Sequence, residues 1–165
     1  MMIKEKSMSK ILDLIYDEDS VVIFDIDGVL AKYEFGERNH NACSDEEWTV
    51  NAVVESIWAY GKAKPVEVFQ ELIRNKKHVY ACSVSCYGEG EAKKSFVRRH
   101  YSIPDENIYL VKDKSLKLAT MCEIAEKHPD IPPEKIIMVE DTVKTLTYIQ
   151  ENSNYSTCHV SSFLE

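Results

Sequence analysis

Apolar residues are gathered in short blocks along the chain, and polar segments with helical spacing lie between them. Residues 21–24, 78–82, 107–111 and 136–139 are rich in β-branched, aromatic and aliphatic side chains, and 155–160 forms a weaker fifth block. Blocks of this length and composition predict strands buried on both faces. The intervening segments repeat apolar positions at three- and four-residue intervals. Met8, Ile11, Leu12 and Ile15 precede the first block. Val68, Phe69, Leu72 and Ile73 fall within 66–75, and Phe96 and Val97 within 91–100. Further helices are expected over 116–127 and 142–151. Pro65, Pro104, Pro129, Pro132 and Pro133 punctuate the pattern. Strand–helix alternation predicts an α/β fold: a three-layer, Rossmann-like parallel sheet of about five strands with helices on both faces.

Residues 31–64 interrupt this alternation. Ser44-Asp45-Glu46-Glu47 has the form of a capping box and predicts a helix from Asp45 to about Tyr60. Its apolar face would be Trp48, Val53, Val54, Ile57 and Trp58, with the tryptophans as packing anchors. Residues 31–43 have no clear period and read as a turn or hairpin. Tyr33, Phe35, Arg38 and His40 there either reach a substrate or sit on a solvated loop. His40 has no ligand partner at metal-binding spacing. The chain, residues 1–165, reads as one domain with a small cap-like insert at about 31–64.

In a parallel sheet the carboxyl ends of the strands share one edge, where ligands bind. Four strand ends here carry chemistry: Asp25 and Asp27 after the first, Ser83 and Ser85 after the second, the lysine-rich 112–117 after the third, and Glu140 and Asp141 after the fourth. An ionised carboxylate on a buried strand is costly without a partner. Asp-x-Asp-Gly would suit an EF-hand loop only with glycine at 30 and an oxygen ligand at 29, where Leu30 and Val29 stand. A simple turn cap is common for Asp-Gly but leaves the wholly apolar run before it unexplained. Paired carboxylates from two strands can instead hold Mg²⁺, while a serine hydroxyl and a lysine ammonium suit phosphate oxygens. Lys114 and Lys117 both qualify as that lysine. With Ser115 as helix cap, Lys117 lies in the first turn, ahead of Met121 and Ile124 on the packed face.

Asp25-Ile26-Asp27-Gly28-Val29 resembles the first motif of the haloacid dehalogenase (HAD) superfamily of phosphotransferases, and Ser83, Lys117 (or Lys114) and Glu140-Asp141 resemble the other three. The resemblance spans residues 20–160. It implies an Mg²⁺-dependent phosphomonoester hydrolase working through an aspartyl-phosphate. Asp25 would be nucleophile and metal ligand. Asp27 would be general acid and base, its carbonyl also on the metal. Ser83 and the lysine would bind the phosphoryl group, with Asp141 a direct ligand and Glu140 acting through water. Asp27 favours phosphate ester hydrolysis over dehalogenation. Departures are Glu140, where Asp or Gly is more usual, and Thr145 in place of a further acid. The short insert implies an open site, covered if at all by a second copy in a homo-oligomer. The layout is similar to deoxyribonucleotidase-like members and to polynucleotide kinase phosphatase domains. Nucleoside monophosphates are therefore the first expected substrate and a 3′-phosphate on a DNA or RNA end the second. A catalytically silent HAD scaffold with a binding role is the alternative of another class.

Composition narrows this further. The 165 residues are 44% hydrophobic and 29% charged, with net charge −8 and pI about 5.2, against a broad nucleic-acid surface. Five cysteines without a Cys-x-x-Cys pair disfavour zinc and a disulfide framework and fit a reducing cytoplasm; Cys82 and Cys122 are expected to be buried thiols. No apolar run approaches the ~20 residues of a membrane span, and residues 1–20 lack a signal-peptide core.

Overall fold

Val21, Val22, Ile23 and Phe24 are all fully buried, which is possible only for a strand covered on both faces and flanked on both edges. A computed structural model describes residues 10–32, 60–61, 63–86 and 88–164. It places this strand, β1 (Val21–Phe24), at the centre of a five-stranded sheet. The others in chain order are β4 (His78–Val84), β5 (Ile108–Val111), β6 (Ile136–Glu140) and β7 (Ser156–His159), arranged β5-β4-β1-β6-β7. Every pairing is parallel. Val21 lies opposite His78 on one side and Ile136 on the other. The chain therefore moves outward from β1 to β4 and β5, then crosses back to β6 and β7. The reversal leaves a crevice between β1 and β6 at their carboxyl ends.

The two-residue period of the strands sorts their side chains onto two cores. Val22 and Phe24 face one side with Val79, Ala81, Ile137 and Val139. That side is covered by α1 (residues 10–16), α2 (Glu67–Arg74) and α3 (Gly90–Tyr101), through Ile15, Phe69, Leu72, Phe96 and Val97. Val21 and Ile23 face the other side with Tyr80, Cys82 and Met138, under α4 (Leu116–Glu126) and α5 (Val143–Asn152) through Met121, Ile124 and Ile149. The α/β fold with a five-stranded parallel sheet between helices is as the alternation predicts. Strand and helix positions agree to within one or two residues, the spread expected at element ends.

Two short strands, β2 (Ala31–Lys32) and β3 (Lys64–Pro65), form an antiparallel ribbon. Tyr101 fastens the chain on either side of this ribbon. Its hydroxyl donates to the Leu30 carbonyl (2.5 Å) and accepts from the Val66 N–H (2.8 Å). The expected helix 45–60 with its capping box, Trp48 and Trp58, and Tyr33, Phe35, Arg38 and His40 lie outside the described residues, as does Met8. Tyr60 and Gly61 are helical.

One expectation about the cysteines is corrected. Cys82 is buried, but Cys122 is exposed. Lys117, Thr120, Met121 and Ile124 occupy the inward stripe of α4, and one residue past Met121 the helix has turned by about 100°, to the solvent side. Among the described residues no helix is long and apolar enough to cross a membrane.

Candidate active site

The carboxyl end of β1 is shaped by one tight turn. Asp25 continues the ladder, its N–H donating to the Val139 carbonyl of β6 (3.0 Å). The Val29 and Ala31 N–H groups then return to the Ile26 carbonyl (3.2 and 2.8 Å), and the Gly28 N–H donates to the Ala31 carbonyl (3.1 Å). Gly28 has φ +76°, in the left-handed region that glycine enters at little cost. A Cβ placed there would stand 2.3 Å from Oδ2 of Asp141. The glycine thus serves both the turn and the approach of the β6 acid to the β1 loop.

Asp25, Glu140 and Asp141 meet across the crevice, each offering a carboxylate oxygen within 4.8 Å of the others. Lys117, buried at the start of α4, joins them: its ammonium lies 2.5 Å from Oε2 of Glu140 and 3.0 Å from Oδ1 of Asp25. Oε1 of Glu140 accepts the N–H groups of Asp141 and Thr142 (3.1 and 3.2 Å). Glu140 is fully buried, and burial alone would favour its neutral form. A hydrogen bond from the Asp141 side chain and the Lys117 ammonium override this and hold its carboxyl down at about 2. Asp25 behaves oppositely. Burial pushes its carboxyl up to about 8; Lys117 opposes the rise, while Glu140 and Asp27 add to it. The ammonium sits nearer Glu140, so Asp25 is the member that keeps a proton when no further cation is present. Burial, then the hydrogen bond and charge of Glu140, also raise Asp141, to about 6. Burial works against the charge of Lys117 itself, but Asp25 and Glu140 more than offset it and raise its pKa.

A second group lies beside the first. Ser83, buried near the end of β4, has its hydroxyl 3.5 Å from Oδ2 of Asp27. Lys93, from α3 on the opposite helical layer, is also buried. Its ammonium donates to Oδ2 of Asp27 (2.7 Å), to the Ser83 hydroxyl oxygen (3.1 Å) and to the Val84 carbonyl, with Glu89 at 3.7 Å. On the other side of Asp27, the Tyr60 hydroxyl donates to Oδ1 (2.7 Å). Tyr60 also lines a cleft of about 480 Å³ with Gly61, Gly88, Glu91, Ala92, Ser95 and Arg99.

Asp25, Asp27, Ser83, Lys117, Glu140 and Asp141 are therefore gathered at one sheet edge. Lys114 is not among them: it is exposed, and its ammonium contacts Thr142 Oγ1 at 3.2 Å. Ser115 sits at the cap position of α4 without making a side-chain cap; instead its N–H donates to Oδ1 of Asp113 (2.8 Å). Thr145 is buried within α5. Comparison with family models, with curated proteins and with solved structures gives no match. The geometry thus stands on its own chemistry.

Sequence reasoning missed Lys93 and Tyr60. Lys93 had a readable signal, since it falls three and four residues before Phe96 and Val97 on the buried stripe of α3. Tyr60 had none, because its contact with Asp27 joins residues 33 apart in the chain that no sequence pattern links. His159 was missed as well. Its Nδ1 accepts the Ser161 N–H (3.1 Å), so Nε2 carries the proton and donates to the Asp141 carbonyl (3.0 Å), steadying that residue from β7.

Proposed function

We propose that this chain is an Mg²⁺-dependent phosphomonoester hydrolase of HAD type, acting through an aspartyl-phosphate on Asp25. The observation that carries the proposal is the meeting of Asp25, Glu140 and Asp141 around Lys117 at the β1–β6 crevice. Hard carboxylate oxygens from two strands fit a hard divalent cation, and Gly28 leaves the space that lets Asp141 reach the β1 loop. Asp25 and Asp141 would hold the ion, together with the Asp27 carbonyl that the family resemblance adds. Glu140 fits better as the residue that fixes Lys117 and the Asp141 backbone, since both its oxygens are engaged there. Mg²⁺, when bound, supplies the positive charge that favours ionised Asp25 and balances the phosphoryl oxygens.

The chain's own groups carry the steps. Lys117 and the Ser83 hydroxyl bind phosphoryl oxygens and offset the charge that repels a carboxylate nucleophile. An Asp25 oxygen attacks phosphorus, and the ester P–O bond breaks as the leaving oxygen takes a proton from Asp27. Asp27 then accepts a proton from water as that water attacks phosphorus. The bond to Asp25 breaks and inorganic phosphate leaves. Small phosphomonoesters are the substrate class, nucleoside monophosphates first among them, in keeping with the short insert and the acidic surface.

The test is phosphate release from nucleoside monophosphates, sugar phosphates and a 3′-phosphorylated oligonucleotide, with Mg²⁺ and with EDTA. Release that needs Mg²⁺ and disappears in Asp25→Asn is expected. Preference for the oligonucleotide, with turnover falling steeply in salt, would assign the substrate to nucleic-acid ends. Folded protein that releases phosphate from none of them would overturn the proposal in favour of a binding scaffold.

A further inference from the structure

The reaction above uses one buried lysine, and among the described residues the site contains a second. Lys93 is 1% exposed, and an ammonium so far from water is tolerated only where its protons are taken up. All three are: by Asp27 Oδ2, by the Ser83 oxygen and by the Val84 carbonyl. Lysine can donate and never accept. Its contact with Ser83 therefore occupies a lone pair of the hydroxyl and leaves the hydroxyl proton to point elsewhere, toward Asp27 or toward a phosphoryl oxygen. Its contact with Asp27 holds Oδ2 from one side. The Tyr60 hydroxyl donates to Oδ1 from the other, so both oxygens of the carboxyl group are held.

We infer that Lys93 and Tyr60 are positioning residues that hold the Asp27 carboxyl group from both sides, Lys93 through Oδ2 and Tyr60 through Oδ1, so that it is presented to the leaving oxygen of the ester. This rests on the phosphatase reading above and deepens it. Neither residue exchanges a proton in either step: Asp27 gives its proton to the ester oxygen as the P–O bond breaks and regains one from the attacking water, while Lys93 and Tyr60 fix where its carboxyl group stands.

A positioning role for a general acid has a signature that structural damage lacks. An alkoxide leaving group needs the proton, whereas 4-nitrophenolate leaves without one. The ratio kcat/KM reports only steps up to departure of the leaving group, so water attack does not enter it. The experiment measures kcat/KM for glycerol 2-phosphate and 4-nitrophenyl phosphate in the wild type, Lys93→Met and Tyr60→Phe, with Mg²⁺. In Lys93→Met the value for glycerol 2-phosphate should fall by about 100-fold, within the range a general acid contributes, and that for the nitrophenyl ester by at least about tenfold less. Tyr60→Phe should show the same selective loss at about tenfold on the alkyl ester. This milder variant carries the test alone if Lys93→Met does not fold. Equal losses on both esters, or none, would overturn the inference and leave the phosphatase reading standing. So would a wild type that turns over only the nitrophenyl ester. A wild type that turns over neither fails the reading itself and takes the inference with it.

Discussion

Gly28→Ala separates the turn after β1 from the metal-holding role assigned to Asp141. Two costs follow from the geometry. The first is conformational: φ of +76° places an L-residue in the left-handed region, worth about 1–2 kcal/mol. The second is steric. The new methyl would stand 2.3 Å from Oδ2 of Asp141 and 3.1 Å from its Cγ, so the carboxylate must rotate away. Asp141 is exposed as a residue and has room to rotate, which keeps this second cost in stability small. The cost in cation affinity is not small, because the displaced oxygen is one of the proposed ligands. The variant should therefore melt only a few degrees below the wild type in EDTA, at about 2–4 °C per kcal/mol for a domain of this size. The larger effect should come with Mg²⁺. At 100 times its dissociation constant the ion stabilises the wild type by about 2.7 kcal/mol, and Gly28→Ala should lose most of that increment. Thermal melts of both proteins across an Mg²⁺ series, with calorimetric titration of the ion, measure the two terms independently of turnover. If Gly28→Ala binds Mg²⁺ as tightly as the wild type, Asp141 is not the ligand and the crevice is not the metal centre.

Two further outcomes follow from the same charges. Lys117→Met removes the one cation that, among the described residues, pairs with both Asp25 and Glu140, and strands two buried acids; stability should fall by about 3–5 kcal/mol in EDTA, with part recovered by Mg²⁺. A melting temperature within 2 °C of wild type, read against the roughly 2–4 °C expected per kcal/mol, would contradict the pairing. The second concerns pH. The folded-state pKa of Asp25 is raised to about 8, so its contribution to stability is complete below the unfolded value of 3.8 and is lost as pH rises through 8. Asp141, raised to about 6, acts in the same direction over the lower part of that window. Glu140, held at about 2, contributes fully above 4.5 and is lost only on going more acid, outside it. Metal-free protein should thus lose stability between pH 5 and pH 8, by up to about 1.4 kcal/mol per pH unit for one proton. Mg²⁺ should stabilise it more at pH 8 than at pH 6, because the ion competes with that proton. Denaturant titrations at three pH values check this, and a metal-free stability that rises with pH would refute the charge assignment.

What could be read in advance, and what could not, divides along the range of the interactions. The strands were readable because β1 needs apolar side chains on both faces, and Val21 to Phe24 leave no other arrangement. Asp25 and Asp141 were readable because each directly follows such a strand, so topology alone brings them to one edge. The choice of Lys117 over Lys114 came from helical phase: 117 shares a stripe with Met121 and Ile124, whereas 114 lies in the exposed turn before α4. The same phase argument applies to Lys93, four residues before Val97 and eight before Tyr101, all buried. It was not drawn because a lysine among Lys94, Arg98 and Arg99 looks like part of a solvated face. A charge on an apolar stripe is therefore informative in a way that a charge beside other charges is not. Such a lysine can stay buried only if the fold brings acceptors to it, and acceptors at a strand's carboxyl end are where a reaction would also want them. Here the two buried ammonium groups arrive from opposite helical layers, one meeting Asp25 and Glu140, the other Asp27 and Ser83. The sheet separates two cores, and at this one edge it lets both layers reach the same pair of β1 aspartates.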